Sequence, residues 1–218
     1  MGSSLNLIPR PAIKKWTYVT DASGGVSLQS IGEVITTSGN VSRIFPDNTN
    51  GLLYALASNS TIGSNMGLHG EPVHRVLHDP YVAIVGKIDS IANIRVWAGW
   101  STNENSQDSD SPAGTHLAAF RYSTDAGDTH WMCATKDGAT LNAVDSGLTP
   151  STTAAQLLEI QIASGTNVVF RIDGTTVCTA GANLPASSEN LRLIFKGETR
   201  NDAAKTVFVH SIYTEGNK

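Results

Sequence analysis

Charge is scarce in this sequence. Only 16% of its residues are Asp, Glu, Lys or Arg, against roughly a quarter in an ordinary soluble domain. No Lys/Arg cluster exceeds a pair, and the net charge is −4. A nucleic-acid binder needs a basic stripe to neutralise phosphates, so no nucleic-acid partner is expected. Cysteine is scarcer still. Cys133 and Cys178 are too few for a disulfide framework, and their spacing matches no zinc motif. They read as two small half-buried thiols. A single bridge is the alternative, which depends on an approach of the Cα atoms that sequence does not reveal. No stretch reaches the length of a membrane span. The N-terminal residues lack the charge and apolar run of a signal peptide, so neither a membrane nor a signal-led route is expected. No helical pattern of about 12 residues with capping signals occurs. A Gly-x-Ser-x-Gly elbow and a phosphate-cradling Gly-rich loop are missing too, and no cofactor is expected.

Gly, Ser, Thr and Asn take the place of the missing charge. Ser, Asn and Gly form helices poorly and turns well, which favours strands joined by turns. The 218 residues suit one all-β sandwich and can bury a large core without staples.

Residues 1–15 read as an arm and 16–218 as a single β-sandwich domain. Pro9 and Pro11 hold the arm extended. Its apolar Leu5, Leu7, Ile8 and Ile13 need a surface to lie on, either the chain's own domain or a neighbouring subunit. Leu5, Leu7, Ile8, Pro9, Pro11 and Ile13 are therefore candidate intersubunit contacts. Beyond the arm, period-two runs alternate with turn residues, giving about 12 to 14 strands. The clearest are 81–89, 94–100, 115–123, 128–136, 139–145, 157–163, 168–172, 176–180, 191–195 and 206–213. Leu158, Ile160 and Ile162 share one face. Asp137-Gly138 and Asp173-Gly174 mark hairpins, the first read as a tight turn with both residues at positive φ. Residues 101–114 form a long polar loop with Glu104, Asp108 and Asp110, expected as a solvated excursion at a sheet edge unless it carries function.

Several segments resemble known proteins. Val168 to Cys178, continuing through Asn183 to Pro185, is similar to the closing hairpin of concanavalin A-like lectin/glucanase domains. Leu158 to Ile162 resembles the strand before it, and Thr206 to Tyr213 the final strand through the core. With Ala119 to Gly138, the likeness covers residues 81–213. It implies an antiparallel two-sheet jelly-roll sandwich. The whole chain also resembles structural proteins of tailed bacteriophages, through the arm, Val34 to Gly39, and Asp128 to Trp131 ahead of the Cys133 strand.

Glucanases of this fold carry their carboxylates at alternate positions of one strand, and glycoside hydrolysis needs two facing carboxylates. No such segment occurs here, so no catalytic residue and no enzyme is expected. His69, His74 and His78, near Glu71 and Asp79, have zinc-compatible chemistry, but Pro72 and Pro80 break any helix that could align them. Oxygen ligands at Glu104, Asp108 and Asp110, with Asn103 and Asn105, suit calcium without matching the paired Asp/Asn pattern of lectins. No metal site is expected. Trp97, Trp100 and Trp131 are candidates for stacking on sugar rings, with Trp97 and Trp100 on opposite faces of one strand. Trp131 shares a face with Cys133.

These readings lead to a non-enzymatic virion component of a tailed phage, in capsid or tail, assembling with other virion proteins as a homo-oligomer. The alternative is a lectin-like module for host-surface glycans.

Overall fold

The alternating residues resolve into two stacked antiparallel sheets in the computed structural model, which describes residues 15–21, 34, 35, 37–39, 41–47 and 51–217. The arm residues Leu5 to Ile13 lie outside the described residues. In the first sheet, β14 (Thr175–Ala180), β13 (Asn167–Ile172), β12 (Gln156–Ala163), β7 (Tyr81–Ile88), β16 (Thr206–Asn217), β4 (Gly51–Ala57) and β3 (Val41–Asp47) follow one another. β1 (Lys15–Asp21) pairs with the far half of β16. In the second sheet the order is β11 (Leu141–Asp145), β10 (Met132–Asp137), β9 (His116–Ser123), β8 (Ile94–Ser101), β15 (Asn190–Thr199), β5 (Asn65–His69) and β2 (Val34–Ile35). β6 (His74–Arg75) pairs with the start of β15. The architecture is a concanavalin A-like jelly-roll sandwich.

Inward side chains of both sheets make one core. Leu158, Ile160 and Ile162 of β12 are buried as their alternation requires, while Glu159 and Gln161 point away. They meet Val96, Ala98 and Trp100 of β8 and Phe120 of β9. Phe120 packs edge-on against Phe170 of the opposite sheet, centroids 5.3 Å apart, and against Trp131 at 6.2 Å. Such pairs hold aromatic quadrupoles in register as well as excluding water.

Cys133 of β10 and Cys178 of β14 are not free thiols. They form a disulfide across the two sheets, with Cα atoms 6.3 Å apart. Both face inward from strands at the same end of their sheets, a juxtaposition created by topology rather than by sequence spacing.

Two hairpins differ in detail. Asp173 and Gly174 both take positive φ, the tight two-residue geometry. At the other hairpin only Gly138 does. Asp137 instead caps the loop, accepting hydrogen bonds from the backbone N–H of Ala139 and Thr140 at 3.0 and 2.8 Å. β10 also begins later than the alternation suggested, because the Asp128 carboxylate ties its segment back to Arg121 and to the Ser123 N–H. β5 and β6 carry too few apolar residues to read as strands. β5 depends on Gly67 (φ +123°), where a Cβ would lie 2.2 Å from the Phe195 carbonyl oxygen of β15.

Candidate functional site

The second sheet buries side chains on both its faces. Behind the core, Trp97, Leu117, Ala119, Ala134 and Ile194 form a separate apolar cluster on the outer face. Long cations surround it. Lys196, Trp97 and Arg121 stand side by side across β15, β8 and β9. Glu198, Arg95 and Ser123 form the neighbouring row. Further along the strands lie Arg192, Ser101, Leu117 and Lys136.

Residues 102–114 cover this face as a strap. Its order along the chain matches the order of strands beneath. The Glu104 carbonyl accepts from Lys196 Nζ of β15 at 2.8 Å, and the Glu104 carboxylate meets Arg192. The Ser109 carbonyl accepts from Trp97 Nε1 of β8 at 3.1 Å. The Asp110 carbonyl accepts from Arg121 of β9 at 2.8 Å, and Ser111 Oγ from Lys136 Nζ of β10 at 3.1 Å. The expected solvated excursion is therefore a roof. Asp110 is drawn inward to Arg95 and half-exposed Glu104 meets Arg192, while Asp108 stays exposed; ion pairing offsets the cost of covering these charges.

Arg95 is the hub. Its guanidinium grips Asp110 through Nε and Nη2, at 2.6 and 3.2 Å, and donates to Glu198 at 3.0 Å and to the Gln107 carbonyl at 3.2 Å. The two-pronged grip on Asp110 is the stronger kind of charge-assisted pairing. Arg200 bridges Glu198 and Asp125, at 2.6 Å each. Arg121 holds Asp128 through two 3.0 Å bonds and lies 5.8 Å from the centre of the Trp97 ring. Burial raises the Glu198 carboxyl above its usual value, against the pull of Arg200 and Arg95. Burial acts likewise on Asp110, but hydrogen bonds from Arg95 and Ser123 and the neighbouring guanidinium charges win and hold it low. Burial lowers Lys196 to about 8, although Asp108 and Glu104 favour its charged form.

The sequence-predicted residues fall into place unevenly. Trp97 and Trp100 do lie on opposite faces of β8, and Trp131 and Cys133 share the core. Trp97, Trp100 and Trp131 are 0, 0 and 2% exposed. Trp100 and Trp131 are core residues and offer no ring to a sugar, and Trp97 offers none while the strap is in place. Trp97 is roofed by the strap, Trp100 lies between the sheets, and Trp131 packs on Phe120 and Tyr122. The His74 ring lies 4.5 Å from that of Trp100, and burial lowers its pKa to about 4. Among the described residues no three His, Cys, Asp or Glu side chains gather as metal ligands. Glu104 and Asp110 turn instead to Arg192 and Arg95. Sequence reasoning passed over the cations. Arg192, Lys196 and Glu198 sit at even positions of β15, whose odd positions carry buried Leu191, Leu193 and Phe195, and this alternation was the available signal.

No family model and no curated protein matches the sequence. Solved structures do. β-Agarase A from Zobellia galactanivorans superposes with a TM-score of 0.58 at 15% identity, over 99% of this chain and 98% of that one. The κ-carrageenase from Pseudoalteromonas carrageenovora, in complex with a κ-carrageenan oligotetrasaccharide, gives 0.58 at 7% identity, over 98% and 99%. The conserved carbohydrate esterase vb_24B_21 of the Shiga toxin-encoding bacteriophage phi24B gives 0.58 at 15% identity, over 92% and 100%. At such identities the likeness is one of fold. It nevertheless overturns the expectation of a non-enzymatic protein. The same architecture carries an agarase, a carrageenase and an esterase, so the missing strand motif does not exclude catalysis.

Proposed function

We propose that this chain binds carbohydrate through the strapped outer face of its second sheet. One observation carries the reading. A tryptophan flanked by an in-register row of strand-borne cations is covered only by a polar strap. Fixed Arg and Lys donors beside an aromatic face are the elements with which rigid sheets hold polar rings. The carbohydrate-named proteins sharing this fold support it. Affinity electrophoresis through gels containing different polysaccharides tests the reading. Retardation by at least one polysaccharide, reduced by Lys136→Ala with Arg192→Ala, is the expected result. Free migration in every gel, or retardation that ignores both substitutions, would reject it.

Cleavage of a glycosidic or ester bond at the same face is a second reading. Glu198 and Asp110 favour it, since the two carboxyls share Arg95 while their proton affinities move in opposite directions. Opposed pairs of this kind divide acid and base roles. Release of reducing ends or acyl groups from a retained polysaccharide, lost in Glu198→Gln, is the expected outcome. A tailed-phage virion, where the chain assembles with other virion proteins as a homo-oligomer, is the setting we propose. The segments 34–39 and 128–131 and the phage phi24B neighbour support it. Finding the chain by mass spectrometry in purified particles tests that setting.

A further inference from the structure

We propose that the strapped face is a site for an acidic glycan, one bearing sulfates or carboxylates, and that the strap is its built-in stand-in. This rests on the carbohydrate reading above and adds the ligand's charge and the means by which the site is closed.

The charge arithmetic of the face leads to this ligand class. In the network, Arg95, Arg121, Lys136, Arg192, Lys196 and Arg200 outnumber Glu198, Asp125 and Asp128 by three. The strap's Glu104 and Asp110 pair with Arg192 and Arg95, and its exposed Asp108 adds a third negative charge. Lifting the strap leaves a solvent-facing surface in net positive excess, which attracts anions. Water solvates that charge without restoring neutrality. A chain of anionic groups restores it directly, and the hydroxyls of a glycan replace the carbonyl and hydroxyl oxygens that now meet Lys196, Trp97, Arg121 and Lys136.

The strap also fits imperfectly. Arg192 gives one nitrogen to Glu104, while its Nε is buried without a partner among the described residues. His69, 7% exposed and 3.7 Å from the same carboxylate, leaves Nδ1 unmatched. Buried Gln107 leaves its Oε1 likewise. Native interiors seldom leave such groups unsatisfied. The Arg192 and His69 atoms lie at β15 and β5 beside Glu104, where the strap begins, and Gln107 lies in the part of the strap over Arg95. Nor is the strap anchored by a large apolar side chain. Its sequence is Ser, Thr, Asn, Gln, Asp and Glu apart from Pro112, Ala113 and Gly114. It is held by polar contacts that a better-matched polyanion can exchange.

The experiment compares the natural chain with Glu104→Gln/Asp108→Asn/Asp110→Asn, which keeps the strap's length but removes its charge. Binding of dextran sulfate and of neutral dextran is measured by calorimetry at two salt concentrations. The proposal expects at least a tenfold gain for dextran sulfate in the variant, weakened by salt and lost on adding Lys136→Ala and Arg192→Ala, with no gain for dextran. Unchanged affinity for dextran sulfate overturns it. A gain for dextran alone also overturns the acidic ligand while leaving the carbohydrate reading standing. The natural chain supplies a second readout that needs no variant to fold. Dextran sulfate, but not dextran, should speed protease cleavage within residues 102–114. Cleavage unaffected by dextran sulfate speaks against displacement of the strap. The carbohydrate reading itself is judged separately, by the gel panel on the natural chain.

Discussion

Trp97 and Trp100 stand on the same strand, equally withdrawn from solvent, but by different neighbours. Trp100 is enclosed between two sheets within the main apolar core, with the His74 ring 4.5 Å from its own. Trp97 is enclosed by a polar strap whose contacts are hydrogen bonds and ion pairs. Equal burial therefore does not mean equal permanence. Apolar packing is lost only when the strands part. Polar cover is exchangeable against water or a ligand, because each hydrogen bond is worth only about 1 kcal/mol net.

The sharpest way to break this comparison is to truncate both rings. Trp100→Ala should cost about 5 kcal/mol, the upper end for a large aromatic in a core that collapses poorly. Trp97→Ala should cost about 3 kcal/mol, since the strap above it can settle into the space. Urea denaturation measures both, and equal losses would mean the strap is as rigid as a sheet. Next comes the link between the sheets. Replacing both Cys133 and Cys178 by Ser should remove about 4 kcal/mol by the loop-entropy account of the 45-residue separation.

On the outer face, Arg95→Met leaves Glu198 and Asp110 without their shared partner and should cost about 3 kcal/mol. The loss should be smaller when Asp110→Asn is added.

Acid titration probes the inner face again. His74 has its folded pKa lowered to about 4 from 6.5, so the unfolded chain takes up the proton first. Its contribution is complete above pH 6.5 and is lost as pH falls through 4, by up to about 3 kcal/mol. His74→Gln should flatten the stability profile over that window. The smallest effect belongs to Glu104→Gln. Its side chain is nearly half exposed, so the ion pair with Arg192 should contribute under about 1 kcal/mol.

Much of the inner face was legible in the sequence. Period-two runs such as Leu158 to Ile162 state which residues meet the core, because a strand can bury one face only by alternation. The outer face was not, for a physical reason. Alternation assigns Arg95, Trp97, Lys196 and Arg121 to one side without saying what covers that side. The cover is a loop whose polar composition resembles that of any solvated segment. The disulfide was hidden similarly, since Cys133 and Cys178 meet only through the order of strands in two different sheets. β5 was hidden because a glycine pressed against a neighbouring backbone looks like a turn residue.

Hydrogen exchange followed by mass spectrometry, comparing residues 102–114 with the β8 residues 94–101, tests the central claim most directly. An exchangeable roof predicts that the strap's amides exchange through local opening at a free energy well below that of β8, and that dextran sulfate speeds their exchange while leaving β8 protected. Strap protection equal to that of β8, unmoved by the polyanion, would contradict the account.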